Sequence, residues 1–167
     1  FATLDSRGNT VKREGNIGAP VDLSETTRVV EFNNLDAMEK ALKKGDVAAI
    51  LMEPAMTNIG IVLPEPGYLE GVGKLAKKYG AVWIIDETHT ISVGPGGMTK
   101  KYKLKPDMLT IGKAIAGGLP TGTFGMTKAI ADQISAKVKR EIVDTGGIGS
   151  TLAGNALSAA AMRVTLK

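Results

Sequence analysis

Residues 81–87 read Ala81-Val82-Trp83-Ile84-Ile85-Asp86-Glu87: an unbroken apolar run closed by two carboxylates. A strand with no polar alternation is expected to be covered on both faces, as in a parallel sheet flanked by helices. Residues 47–52, Val47-Ala48-Ala49-Ile50-Leu51-Met52, repeat the pattern. Between the two runs a helix is predicted over residues 67–79, with Gly80 as its stop. Upstream, residues 29–32 read as a short strand. Asn34 or Asp36 then caps a helix reaching Lys44, with Leu35, Met38, Ala41 and Leu42 on one face and Gly45 beyond its end. This strand–helix–strand–helix–strand order, with short connections, predicts an α/β fold: a mostly parallel sheet flanked by helices, with right-handed crossovers.

Downstream, strands are predicted over residues 106–111 and 123–126, the second expected to run antiparallel. Thr127 caps a helix over residues 128–138, and the glycine-rich turn 146–149 leads into a last helix from Asn155. Residues 1–27 form a polar opening rich in turn signals. The final helix reaches Lys167 without a stop signal, which suggests a segment of a larger protein.

Composition narrows the function. With 167 residues, one domain is expected. Cysteine is absent, which removes disulfides and thiolate chemistry, and a single histidine excludes a multi-histidine metal site. The apolar runs are far shorter than the roughly 20 residues of a membrane-spanning helix. No basic-then-apolar leader opens the sequence, so a cytoplasmic protein that does not bind membranes is expected. The net charge of +4 is spread over short lysine groups and aromatics are scarce, so no nucleic-acid partner is expected.

In open α/β sheets ligands gather at the carboxyl ends of the strands, where Asp86 and Glu87 fall. A carboxylate there either faces a ligand or caps the following turn. Lys113 is the sole charged residue between Asp107 and Lys128, in Ile111-Gly112-Lys113-Ala114-Ile115-Ala116-Gly117-Gly118-Leu119-Pro120. Such a lysine either reaches water along its stem or is desolvated, neutral and able to form a Schiff base with an aldehyde. Gly112-Lys113 is not a Walker loop, because Asp107 stands where that motif needs glycine and Ala114 where it needs a hydroxyl. Gly147-Ile148-Gly149-Ser150-Thr151 is a better phosphate candidate: its amides and the Ser150 and Thr151 hydroxyls lie near a helix start. It also reads as an ordinary glycine turn. His89, the only imidazole, sits beside Asp86 and is expected to be a loop residue next to the site.

Four stretches together resemble the class-III aminotransferases, PLP-dependent (pyridoxal 5'-phosphate) enzymes of fold type I, including the glutamate-1-semialdehyde aminomutase branch. They are Ile50-Leu51-Met52-Glu53-Pro54, Trp83-Ile84-Ile85-Asp86-Glu87-Thr88-His89-Thr90, the segment from Pro106 to Pro120, and Gly149-Ser150-Thr151-Leu152-Ala153-Gly154-Asn155-Ala156-Leu157. The resemblance runs from about residue 28 to the end. It implies that Lys113 forms the Schiff base with PLP and shuttles the proton. Asp86 pairs with the pyridine nitrogen, and Thr88 packs on the ring. Ser150 and Thr151 bind cofactor, with Thr151 on the phosphate of a neighbouring subunit. Glu53 lies near the site at a Glu-Pro step, in either a functional or a structural role.

The resemblance further implies that residues 1–167 are part of a PLP-binding large domain, with an N-terminal segment and a C-terminal small domain outside this sequence. It also implies a homodimer with a shared active site. The activity implied is amino transfer from an amino acid or amine to a keto or aldehyde acceptor, both small molecules. A 2,1-aminomutase and a non-catalytic fragment of the same fold are the alternatives. Thr88 stands where the family has Val or Ile. The loop Ser92-Val93-Gly94-Pro95-Gly96-Gly97 departs from the usual glycine-aromatic-arginine pattern, which leans toward an unusual donor such as a β-amino acid.

Overall fold

A computed structural model describes residues 2–14, 22–137 and 152–167. The polar opening folds as a hairpin of β1 (Ala2–Leu4) and β2 (Thr10–Lys12), antiparallel. Asp5 closes its turn by accepting from the amides of Arg7 and Asn9 at 2.8 and 2.9 Å. After a short helix α1 (Leu23–Thr26), residues 29–31 are irregular, Phe32 begins a turn, and none of them joins a sheet of the described residues. The alternation that reads as a strand is real in its packing: Val30 and Phe32 turn toward the core, and Phe32 meets Tyr68 edge-on at 4.9 Å. Among the described residues no strand pairs with it, so the segment is a strap and the predicted strand is corrected.

The helix α2 (Leu35–Leu42) starts where expected, with the Asn34 side chain accepting from the Ala37 amide at 2.9 Å. Its Met38 and Leu42 are buried. Next come β3 (Ala49–Met52), α3 (Tyr68–Tyr79) and β4 (Val82–Asp86). The stop at Gly80 is a left-handed cap (φ 69°) whose amide bonds the Ala76 carbonyl. Glu39 of α2 accepts from Lys78 Nζ at 2.6 Å and the Tyr79 hydroxyl at 2.9 Å, tying the two helices and holding its carboxyl below the usual range.

The connection after β4 contains a 3-10 turn (Thr90–Val93) and α4 (Gly97–Lys101), and returns as β5 (Met108–Gly112). A second 3-10 turn (Lys113–Ala116) precedes β6 (Gly122–Met126), followed by α5 (Lys128–Lys137) and α6 (Ala156–Thr165). The sheet order is β3-β4-β5-β6, with β3, β4 and β5 parallel and β6 antiparallel to β5, as expected.

One face of this sheet carries the core: Ile50, Trp83 and Ile85 pack with Met38, Leu42, Leu69, Val72 and Ala76 of α2 and α3. The other face is not covered by the described residues. Leu51, one position from buried Ile50, is 69% exposed, and Phe124 is 45% exposed. The expectation that the apolar strands are covered on both faces therefore holds for one face only among the described residues.

Candidate active site

Three successive parallel strands end at one edge, and the polar residues gather there. Asp86 is the last residue of β4. Alternation along a strand sends Ile85 into the core, so Asp86 points to the open face, in register with Thr110 of β5 and through it with Phe124 of β6. One oxygen of its carboxylate, Oδ1, accepts from the Thr88 amide at 2.8 Å, an Asx turn that fixes the orientation of the group. The other oxygen takes no hydrogen bond among the described residues and is available to a ligand. The turn-cap reading of Asp86 is thus observed, and it leaves the second oxygen free for the ligand-facing one.

Glu87 goes the opposite way and is fully buried. It accepts from the Thr90 hydroxyl and from the amides of Met98 and Thr99, so it pins the 90–101 connection to the end of β4. A methyl at Gly97 would stand 2.5 Å from Glu87 Oε2, and Gly97 has φ +60°, so only glycine fits this approach. From sequence, Glu87 shares with Asp86 the alternatives of facing a ligand or capping the turn, and its burial is not distinguished in advance. The signal for it lay in the Gly96-Gly97 pair ten residues downstream, which leaves room for the carboxylate.

Lys113 follows β5 directly and is exposed, so the desolvated setting considered from sequence is not what holds it. Its backbone has φ 51°, a left-handed conformation that costs a non-glycine residue about 1–2 kcal/mol. Strain of this kind persists where surrounding structure enforces it, and it is concentrated at functional sites. Here the enforcement is visible: Ile115 and Ala116, two and three residues on, are buried, and α6 lies against this turn. Thr88 lies beside Gly112, the residue before the lysine. A methyl built on Gly112 would lie 3.7 Å from Thr88 Oγ1 and 3.4 Å from the Thr121 carbonyl.

Lys113 Nζ lies 2.8 Å from His89 Nε2. The other imidazole nitrogen, Nδ1, is hydrogen-bonded with Thr57 Oγ1, which donates to Glu53 Oε2. Nδ1 stands 3.6 Å from the same carboxylate oxygen. His89 is therefore in direct contact with the lysine amine rather than beside the site, and Glu53 joins the same cluster. Ser150 and Thr151 lie outside the described residues.

These residues fit PLP. The amine and the half-satisfied Asp86 carboxylate occupy the ends of adjacent parallel strands, which are the complements of an aldehyde and a protonated ring nitrogen. Among the described residues no cluster of three or more His, Asp or Glu could hold a metal ion, and no helix is long and apolar enough to cross a membrane. A groove of about 690 Å³ lined by Gly73, Lys74, Trp83, Leu104 and Asp107 lies at the opposite, amino end of β4 and β5.

The family model Aminotransferase class-III matches residues 12–167. A glutamate-1-semialdehyde 2,1-aminomutase of Anaeromyxobacter dehalogenans is 38% identical over 153 residues, covering 90% of this chain and 34% of the relative. That of Methanocorpusculum labreanum is 40% identical, covering 96% and 39%. Among solved structures, a glutamate-1-semialdehyde aminomutase from Pseudomonas aeruginosa PAO1 is similar with a TM-score of 0.91 and 46% identity, over 98% of this chain and 37% of that one. A lysine-to-alanine variant of that protein, solved in complex with PMP, is 45% identical. The chain thus spans about a third of the length of the curated relatives it matches.

Proposed function

The chain belongs to the class-III aminotransferases, with the PLP-dependent fold type I, and from that premise we propose that it is the cofactor-binding part of an amino-group-shifting enzyme with PLP held at Lys113. The observation that carries the reading is the placement of Lys113 and Asp86 at the carboxyl ends of β5 and β4, with one Asp86 oxygen unspent. PLP, when bound, supplies an electron sink that acidifies the substrate carbon bearing the amino group. Asp86 would pair with the protonated ring nitrogen, Thr88 would pack against the ring, and Lys113 Nζ would carry the proton between the substrate carbon bearing the amino group and C4' of the cofactor. Ser150 and Thr151 bind the phosphate, Thr151 that of a second subunit in a homodimer. Residues 1–167 form part of the large domain.

The relatives favour a 2,1-aminomutase, which moves the amino group within one molecule such as glutamate-1-semialdehyde, over transfer between an amino donor and a separate keto or aldehyde acceptor. The two chemistries share every residue named here and differ in whether the amino group leaves with a second molecule. Turnover without any added amino acceptor is expected; an absolute requirement for one assigns the enzyme to intermolecular transfer instead.

The cofactor assignment has a direct chemical test. Adding PLP to the full-length protein is expected to produce a visible absorption band, and borohydride reduction followed by peptide mapping is expected to place the label on Lys113. Label on another lysine refutes the assignment. No band at all supports a non-catalytic member of the fold.

A further inference from the structure

We propose that His89 is the proton partner of Lys113, and that Thr57 and Glu53 are positioning residues that fix which imidazole nitrogen faces the amine. The proposal rests on the reading of Lys113 as the cofactor lysine. It begins from a chain of contacts across three strand ends: Glu53 and Thr57 follow β3, His89 follows β4, and Lys113 follows β5. The contacts are Lys113 Nζ to His89 Nε2 at 2.8 Å, His89 Nδ1 with Thr57 Oγ1, and Thr57 Oγ1 to Glu53 Oε2.

Proton counting gives this chain a direction. An ionised carboxylate only accepts, and a threonine hydroxyl has one proton to give. Thr57 spends that proton on Glu53, so toward His89 it can only accept, and Nδ1 must carry hydrogen. A neutral imidazole protonated at Nδ1 has a lone pair at Nε2. That lone pair faces the Lys113 ammonium, which has three hydrogens and no acceptor. The reverse direction fails at its end, since the carboxylate has no hydrogen to donate.

The arrangement suits the step a cofactor lysine must make before it attacks an aldehyde carbon, which is to expose its own lone pair. The N–H bond at Nζ breaks and one forms at His89 Nε2, leaving a neutral amine and an imidazolium. The imidazolium keeps its Nδ1–H on Thr57 and faces Glu53 Oε2 at 3.6 Å, so the positive charge moves toward the carboxylate and the total charge is unchanged. The proton returns by the same path, and no other reactant is needed.

The test uses the full-length protein freed of cofactor. With histidine labelled in 15N, the His89 imidazole is assigned by comparison with H89Q, and long-range proton–nitrogen correlation reads its tautomer. Nε2 unprotonated and Nδ1 protonated is expected. In parallel, Lys113 is methylated with formaldehyde and cyanoborohydride, and its rate is taken by mass spectrometry relative to exposed Lys44. The rate in T57V is expected to fall about three- to ten-fold, the scale of one hydrogen bond, with the tautomer shifting toward Nε2–H and T57S restoring both. A wild-type protein with hydrogen on Nε2 overturns the proposal, as does wild-type methylation in T57V. Neither readout involves PLP, so loss of this inference is distinguishable from failure of borohydride labelling at Lys113.

Discussion

At the scale of single residues, Asp86 shows how one side chain serves backbone and ligand together. Its Oδ1 is committed to the Thr88 amide, and that bond survives in Asp86→Asn if the amide oxygen takes the same place. The charge does not survive. A hydrogen bond to a charged group contributes about 1.5–3 kcal/mol. The dissociation constant of PLP should therefore rise by about ten- to a hundred-fold in Asp86→Asn, at unchanged folding stability. Titrating the cofactor-free protein by absorbance and melting it separately checks both halves. Unchanged affinity would remove Asp86 from the ring nitrogen. The position of Lys113 and Asp86 at strand ends was legible in the sequence because strand ends announce themselves when apolar runs stop at charged residues. His89 was not, since adjacency in sequence does not tell which way a ring turns. Only the loop after β3, folded across to bring Thr57 and Glu53 under the imidazole, reveals its contact with the lysine.

At the scale of elements, the limits of α2, α3 and α6 were predicted within a residue or two because caps carry local information, Asn34 before α2, Gly80 after α3 and Asn155 before α6, whereas the short α1 and α4 were not predicted. The strand over residues 29–32 failed because a strand is a property of a pair, and its alternation reports only which side chains are buried. Packing between α3 and β4 is similarly invisible in sequence, yet it gives two glycines of one helix different meanings. A methyl on Gly73 would stand 2.8 Å from Trp83 Cζ3, whose indole is buried. A methyl on Gly71 would stand 2.5 Å from Leu35 Cδ1, the free end of a flexible side chain. Alanine gains about 1 kcal/mol of helix propensity over glycine in both places. Overpacking a rigid neighbour costs about 1–3 kcal/mol, so Gly73→Ala is expected to destabilise and Gly71→Ala to be neutral or mildly stabilising. Urea unfolding of the two variants decides it, and equal effects would mean that the indole yields as easily as the leucine.

At the scale of the whole molecule, the sheet itself poses the question. Its strands are apolar on both faces, but the described residues cover one. Ile50 and Leu51 are neighbours in β3 with opposite surroundings, 6% and 69% exposed. On the open face the register aligns Leu51 with Ile84 of β4, and Ile84 with Met108 of β5, an apolar row two residues back from Asp86. Sequence alone could not separate the two faces, because it records the environment for which a strand is suited and not which segments supply it. In the 167-residue chain, Ile50→Ala removes buried methyls and should cost about 2–4 kcal/mol. Leu51→Ala removes exposed ones and should stay within about 0.5 kcal/mol. Wherever further chain or a second subunit covers the open face, the Leu51→Ala cost should rise toward that of Ile50→Ala. The pair of variants, unfolded in urea as the 167-residue chain and again as the full-length protein, reads out that cover directly. A Leu51→Ala cost matching Ile50→Ala in the 167-residue chain would show the face already buried and refute the one-sided sheet.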